Sequence, residues 1–181
     1  MAALTAPGRA LRLDEATWQR LAAMATPAGA GLVLMGAYLV LAFDRFGFQA
    51  FIEVRASARM LLIGLYGWAW LVGGAWVIAR MAFSYTGSAS RLAPLMAHAY
   101  VPLLLLALFI QFVSVAANIS GLAFWLALFA GGFWMPAMLV AAAGTATGLG
   151  RRSAIVVAGV PYLVWVVVVG RPLWLQMEHL L

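Results

Sequence analysis

The stretch MLLIGLYGWAWLVGGAWVIARMAF, residues 60–83, contains a single charged side chain, that of Arg80. A transmembrane helix needs about 20 consecutive, mostly apolar residues, so this stretch is long enough to cross a bilayer. Similar stretches recur along the 181-residue chain, in which 66% of the residues are hydrophobic and 9% are charged. The mean hydropathy is +1.03. These values predict an integral membrane protein and exclude a soluble globule.

The apolar stretches predict an all-α fold, a bundle of five transmembrane helices that forms one transmembrane domain over residues 21–174. The predicted spans cover residues 21–43, 60–83, 92–117, 122–143 and 153–174. Residues 1–20 precede this domain as a short cytoplasmic amphipathic arm, and residues 175–181 follow it as a short tail on the opposite side. The five spans leave no room for a soluble domain.

Two segments outside the spans have an amphipathic pattern. In the arm, Leu11, Trp18 and Leu21 would share one face of a helix. Between spans one and two, residues 44–59 mix Phe and Ile with Arg and Glu. This second pattern predicts a short helix that lies in the membrane interface.

The placement of arginine predicts the orientation. An odd number of spans puts the two termini on opposite sides of the membrane. The N-terminal side then holds seven arginines, which are Arg9, Arg12, Arg20, Arg80, Arg91, Arg151 and Arg152. The other side holds four, which are Arg45, Arg55, Arg59 and Arg171. Because basic residues are enriched on the cytoplasmic side, we expect a cytoplasmic N-terminus.

The basic residues also bear on location and partners. All 11 are Arg, and the chain is rich in Ala, Gly and Leu, which is typical of GC-rich bacterial genomes. We therefore expect a multi-pass protein of a bacterial inner membrane. The sequence pI near 10.8 is explained by arginines at span ends, so nucleic acid is not an expected partner.

Small residues and prolines recur within the spans. Four-residue spacing of small residues predicts close helix packing, within the bundle or against another subunit. The residues concerned are Ala123, Ala127, Gly131, Gly144 and Gly148 near span four, with Ala69 and Gly73 in span two. Trp68 and Trp70 lie deeper than an aromatic belt, which is explained either by packing against lipid or by contact with protein or a bound amphiphile. Helix kinks are expected at Pro27, Pro102, Pro136 and Pro161.

The polar residues argue against an ion-coupled transporter and against an enzyme. All five acidic residues lie outside the spans or at their ends, whereas ion-coupled transporters usually place carboxylates at depth. The chain has no Cys, no metal-ligand cluster and no phosphate-binding loop motif. We therefore expect neither an enzyme nor a metal site.

His98 is the one candidate cofactor ligand inside a span. It lies about two turns inside span three, from where it would hold a single haem or pigment together with another axial ligand. His179 is predicted on the opposite side of a membrane about 30 Å thick, so one subunit cannot use both histidines on one haem. The alternative is a neutral His98 that is hydrogen-bonded to a neighbouring helix.

Two motifs resemble a known family. The turn 85–88 (YTGS) precedes residues 92–103 (LAPLMAHAYVPL), and residues 157–162 (VAGVPY) contain a proline in the last span. This order resembles the Yip (Ypt-interacting protein) family of five-span membrane proteins and its small bacterial members. The resemblance implies the five-span fold with a cytoplasmic N-terminus. Eukaryotic members bind small GTPases through a longer acidic arm with a Tyr-Gly-Pro motif, but residues 1–20 here contain no Tyr.

These observations favour a non-catalytic scaffold or accessory subunit that packs against lipid and other membrane proteins, for example in a respiratory or photosynthetic complex. The expected partners are membrane lipids and a hetero- or homo-oligomeric membrane protein. Two alternatives stay open. One is a passive permeation protein for lipids or small molecules, and the other is a subunit that binds a pigment or haem through His98. A scaffold or accessory subunit needs no cofactor, whereas the two alternative functions would involve a bound lipid or pigment.

Overall fold

The computed structural model describes residues 15–46, 54–114 and 129–170. These residues form helices and short connections without a strand, so the predicted all-α class is confirmed for them. The α-helices are α1 (Glu15–Met24), α2 (Pro27–Phe46), α3 (Val54–Phe83), α4 (Ala89–His98), α5 (Val101–Ser114), α6 (Met135–Thr147) and α7 (Arg151–Val164). Two π-helical segments, Ala130–Trp134 and Trp165–Gly170, precede α6 and follow α7.

Three of the described segments are long and apolar enough to cross a membrane. They are Leu61–Phe83, Ala89–Leu106 and Arg151–Val168. A fourth results if Ala16–Met24 and Pro27–Tyr38 count as one span, although these helices meet at 107°. The protein thus has three to four candidate spans within the described residues. The count of five stays a prediction, because residues 115–128 of predicted spans three and four, like the 175–181 tail, lie outside the described residues.

The first predicted span is not one straight helix. Helix α1 continues through the expected boundary at Leu21 as far as Met24, and α2 begins at Pro27. Proline has no N–H to donate and disfavours helical geometry in the residue before it, which here is Thr26. The Thr26 side chain then caps α2, because its Oγ1 accepts a hydrogen bond from the Gly29 N–H at 3.1 Å. A threonine cap followed by proline therefore places the 107° bend.

The predicted interfacial helix over residues 44–59 is wrong at both of its described ends. Residues 44–46 complete α2, and residues 54–59 are the first turns of the continuous helix α3. Alanine and arginine, which dominate residues 55–59, have high helix propensity, so they extend the apolar helix instead of starting a separate one. Residues 47–53 lie outside the described part of the chain.

The other three prolines at which a kink was expected, Pro102, Pro136 and Pro161, lie where the helical hydrogen-bond pattern changes. Pro102 follows a turn in which the N–H groups of Ala99 and Tyr100 bond to carbonyls three residues back. Pro136 is the second residue of α6, which follows the first π-helical segment, and Pro161 lies inside α7 before the second. A missing N–H releases a carbonyl one turn earlier, and each of these sites accommodates that loss differently.

The junction between α4 and α5 is the centre of the bundle. All residues from 95 to 102 are buried, including both turn residues. Such all-round burial is typical of a helix enclosed by others. Helix α4 packs against α2, α3 and α6, while α7 packs against α3 and α6, and α1 packs against α6. The stretch that resembles Yip proteins therefore forms the core.

Glycines on α3 provide the closest helix contacts. A Cβ at Gly64 would lie 2.3 Å from the Tyr38 ring, and one at Gly67 would lie 2.8 Å from the Trp165 ring. A Cβ at Gly74 would lie 2.9 Å from the Pro161 Cβ. Only glycine therefore leaves room for these three rings. Ala69 and Gly73, which the sequence predicted as packing residues of this helix, do not make such contacts with the described residues. Ala69 is exposed, and nothing lies within 4 Å of a Cβ built at Gly73.

Adjacent glycines allow a matched stability test. We expect Gly74→Ala to lower the free energy of unfolding by about 1–3 kcal/mol relative to Gly73→Ala, because its methyl group overpacks against the rigid Pro161 ring. Gly73→Ala gains the same helix propensity, at most about 1 kcal/mol, without a clash. Reversible unfolding in mixed detergent micelles measures both. Equal stabilities would show that α3 and α7 are not in close contact at Gly74.

Candidate functional site

His98 lies at the end of α4, in the centre of the core, with 3% of its surface exposed. Its Nδ1 lies 2.7 Å from the carbonyl oxygen of Pro94, one turn earlier on the same helix. A carbonyl can only accept, so Nδ1 donates and Nε2 carries the lone pair of the neutral ring. The prediction of a hydrogen bond to a neighbouring helix is therefore wrong for Nδ1. This atom bonds within its own helix, because a carbonyl one turn back is within reach of the ring.

The described residues hold no metal-binding cluster beside His98. Within them no group of three or more His, Cys, Asp or Glu side chains lies close enough to hold a metal ion. His179 lies outside the described ranges. Pigment or haem binding through His98 stays a prediction, in which Nε2 would be the ligand atom.

Three tryptophans of α3 donate their indole N–H groups to backbone carbonyls on other segments. The bonds run from Trp68 to Ala93 on α4 (3.2 Å), from Trp70 to Pro161 on α7 (3.2 Å) and from Trp76 to Gly87 in the turn after α3 (3.1 Å). An indole N–H buried in an apolar bundle needs such a partner. Deep tryptophans thus tie α3 to two neighbouring helices and one turn.

A tyrosine on α7 satisfies a carbonyl that the first π-helical segment leaves free. The Met135 N–H bonds to the carbonyl of Ala130, and Pro136 has no N–H, so the carbonyl of Gly131 receives neither helical bond. The Tyr162 hydroxyl donates to this carbonyl. The π-helical register and the proline together create the acceptor, and the bond joins α7 to the segment before α6.

The remaining small residues of the predicted packing face have different surroundings. A Cβ at Gly144 would lie 3.3 Å from the Ala154 Cβ, so this position packs α6 against α7. Gly148 has φ = 71° and caps α6 in the left-handed conformation that glycine adopts readily. Nothing lies within 4 Å of a Cβ at Gly131 or Gly148. Ala123 and Ala127 lie outside the described residues.

One end of the bundle collects arginines. We call it the basic end, and it consists of α1, the connections 84–88 and 148–150, and the helix turns next to these connections. Here the Tyr85 hydroxyl donates to the Ala146 carbonyl at 3.3 Å. Its exposed arginines are Arg20, Arg80, Arg91, Arg151 and Arg152. Arg80 lies over the Trp76 ring at 5.3 Å. None of the side chains described at this end is Asp or Glu.

Two cavities open at the basic end. The larger, of about 670 Å³, lies between α1, α6 and the start of α7, and Trp18, Thr145 and Arg151 are among its lining residues. The smaller, of about 400 Å³, lies on the other side of the α6–α7 turn and is lined in part by Tyr85 and Arg91. The two share Thr145 and Gly148.

Trp18 is a buried residue of this end whose position beside a cavity was not predicted from the sequence. It is 1% exposed, and its indole N–H has no acceptor among the described residues. The amphipathic pattern of the arm placed Trp18 and Leu21 on one face, and both are buried. The amphipathic pattern did not predict that α6 and α7 form a cavity beside that face, because these helices are distant in sequence.

Comparison with known protein families, with curated proteins and with solved structures finds no match to this chain. The Yip resemblance therefore stays a prediction, which rests on residues 85–103 and 157–162.

Removing the Tyr162 hydroxyl tests the bond to the π-helical segment. We expect Tyr162→Phe to lower the free energy of unfolding by about 1–2 kcal/mol, because it leaves the Gly131 carbonyl without a donor. Tyr66→Phe is the matched control, because Tyr66 is 58% exposed and water can replace its hydroxyl. Unfolding in mixed micelles compares the two variants, and equal losses would contradict the assignment.

Proposed function

We propose that this protein is a non-catalytic scaffold or accessory subunit of a bacterial inner membrane, with its N-terminus in the cytoplasm. It acts by packing a helix of another membrane subunit into a groove on its lipid-facing surface. The observation that carries the proposal is an open groove of about 440 Å³ between α3 and α7.

The groove has the composition of a helix-packing site. Its α3 side includes the small residues Ala69 and Gly73 at four-residue spacing beside the larger Trp70, Val77 and Ile78, and its α7 side includes Val160 and Val164. Small residues at this spacing let a second helix backbone approach closely, which drives association in lipid, where the hydrophobic effect contributes little. Among the described residues, the expected packing positions Ala69 and Gly73 line this open groove, which supports a contact with another helix.

The one polar group beside the groove is already bonded. Trp70 lines the groove, and its N–H donates to the Pro161 carbonyl. A partner helix therefore meets a purely apolar surface and needs no matching polar group. This favours recognition by shape, through van der Waals packing, over recognition by hydrogen bonds.

The polar groups of the interior support a structural role. Trp68, Trp76, Tyr162 and His98 each donate to a backbone carbonyl of the chain. The Trp68 and Tyr162 bonds join two helical segments, the Trp76 bond ties α3 to the turn after it, and the His98 bond stays within α4. The cytoplasmic N-terminus is supported by the five exposed arginines of the basic end, since basic residues favour the cytoplasmic face.

Filling the groove tests the proposal. We expect Gly73→Leu to release a co-purifying subunit in mild detergent, because the new side chain occupies the groove, while the variant itself stays folded. Gly159→Leu is the matched control: it is also a glycine of an apolar helix with nothing within 4 Å of a Cβ, but it does not line the groove.

Size-exclusion chromatography and mass spectrometry of the tagged protein read out the association. Loss of a different polypeptide identifies a hetero-oligomer, and loss of a second copy identifies a homo-oligomer. An unchanged complex in Gly73→Leu, or the same loss in Gly159→Leu, would contradict the groove as the contact.

A further inference from the structure

Helix α1 is attached to the bundle by two side chains. Trp18 and Leu21 are each 1% exposed, whereas every other described side chain of this helix is exposed or partly exposed. The helix packs mainly against α6, with a smaller contact to α4. The larger cavity opens beside Trp18, and the smaller one opens beside Ala22 and Ala25. Open space therefore lies next to α1 at its middle and at its C-terminal end.

The connection between α1 and α2 allows α1 to move as a unit. Helix α1 ends at Met24, and residues 25 and 26 are not helical. The first backbone bond of α2 runs from the Ala30 N–H to the Thr26 carbonyl at 3.0 Å, and the Thr26 side chain caps the helix. Because Pro27 has no N–H, α2 is complete without a bond to α1. Rotation about residues 25 and 26 moves α1 and keeps both helices intact.

The docked position of α1 leaves the N–H of its anchor residue unbonded. The indole nitrogen of Trp18 is shielded from solvent and has no acceptor among the described residues. A buried donor without a partner is rare, because it loses its bond to water and gains none in return. In the membrane interface the same indole meets water and lipid carbonyls, which is why tryptophan is enriched there. Release of α1 from the bundle would therefore satisfy this N–H.

From these observations we propose that α1 is a strap that docks reversibly on α6 and α4. In the released state α1 swings about residues 25 and 26, and Trp18 enters the membrane interface. This uncovers the part of α6 at which the two cavities meet, at Thr145 and Gly148. Because Trp18 and Leu21 keep partly apolar surroundings in the interface, release forfeits only part of their burial, and the unbonded N–H favours it. The strap goes beyond the scaffold function and lies apart from the α3–α7 groove.

Cysteine labelling tests the release. The chain contains no Cys, so one introduced thiol reports on one position. Leu21→Cys places a thiol beneath the strap, and Ala23→Cys places one on its exposed surface. Ala79→Cys places one in the bundle core next to Arg80, where the side chain is 0% exposed. The full chain in phosphatidylcholine nanodiscs is treated with a water-soluble maleimide, and mass spectrometry gives the labelling rates.

We expect Leu21→Cys to react more slowly than Ala23→Cys but at least about tenfold faster than Ala79→Cys, because the strap opens without unfolding of the bundle. Hydrogen exchange of the unaltered chain shows whether release also occurs without the Leu21 substitution. There the amides of residues 19–24 should exchange at least about tenfold faster than those of residues 93–98 in α4.

Replacing the indole N–H tests the cause of the release. Benzothienylalanine has the shape of tryptophan, with a sulfur atom in place of the N–H, and is introduced at position 18 in the Leu21→Cys background. We expect labelling to slow about tenfold, because the docked strap no longer buries an unbonded donor. The matched control is the same replacement at Trp76, whose N–H donates to the Gly87 carbonyl at 3.1 Å. It should not slow the labelling.

Two results would overturn the proposal. Equal labelling of Leu21→Cys and Ala79→Cys would show that α1 leaves its position only when the whole bundle opens. An unchanged rate with the sulfur analogue at position 18 would show that the Trp18 N–H is bonded in the docked state, for example to water. The Gly73→Leu variant separates the strap from the scaffold function, since it should leave the Leu21→Cys labelling rate unchanged even where the partner subunit is lost.

Discussion

Hydrogen bonds from aromatic ring donors to backbone carbonyls hold the helices of this bundle in place. A membrane interior offers no water to satisfy a polar group, so every such group must find its partner within protein. The indoles of Trp68, Trp70 and Trp76 and the Tyr162 hydroxyl meet this requirement across helix boundaries. The Trp68, Trp70 and Tyr162 bonds each set the position of one helical segment against another, and the Trp76 bond fixes the turn after α3. Apolar packing, which has no direction of its own, fills the space between the helices.

Glycine and proline make these bonds geometrically accessible. Gly67 and Gly74 let the Trp165 and Pro161 rings lie against α3, which brings α7 close enough for Trp70 to reach the Pro161 carbonyl. Pro136 removes a helical donor and so leaves the Gly131 carbonyl for Tyr162. The residues that interrupt regular helices are therefore the ones that allow neighbouring helices to bond to each other.

The sequence predicts the parts of this fold that depend on local chemistry. Apolar length was sufficient to identify the candidate span in α3. Thr26-Pro27 contains the signal for the bend before α2, where the sequence predicted a kink at Pro27 within one span. The Tyr162 bond was not predictable, because the π-helical register moves the free carbonyl by one residue. Spacing alone could not show which face of α3 packs inside, since that depends on where Tyr38, Trp165 and Pro161, distant in sequence, arrive. The cavity beside Trp18 likewise required the placement of α6 and α7.

The contact between α1 and α6 has a consequence for biosynthesis. Helix α1 leaves the ribosome first, but the α6 residues that share its cavity, from Ala137 onward, are made on the order of ten seconds later at ordinary elongation rates. During that interval the indole of Trp18 has no α6 to cover it. The apolar face of α1 is then a surface that an insertase or a membrane chaperone must shield, so nascent chains stopped before α6 should be the forms most exposed to membrane proteases.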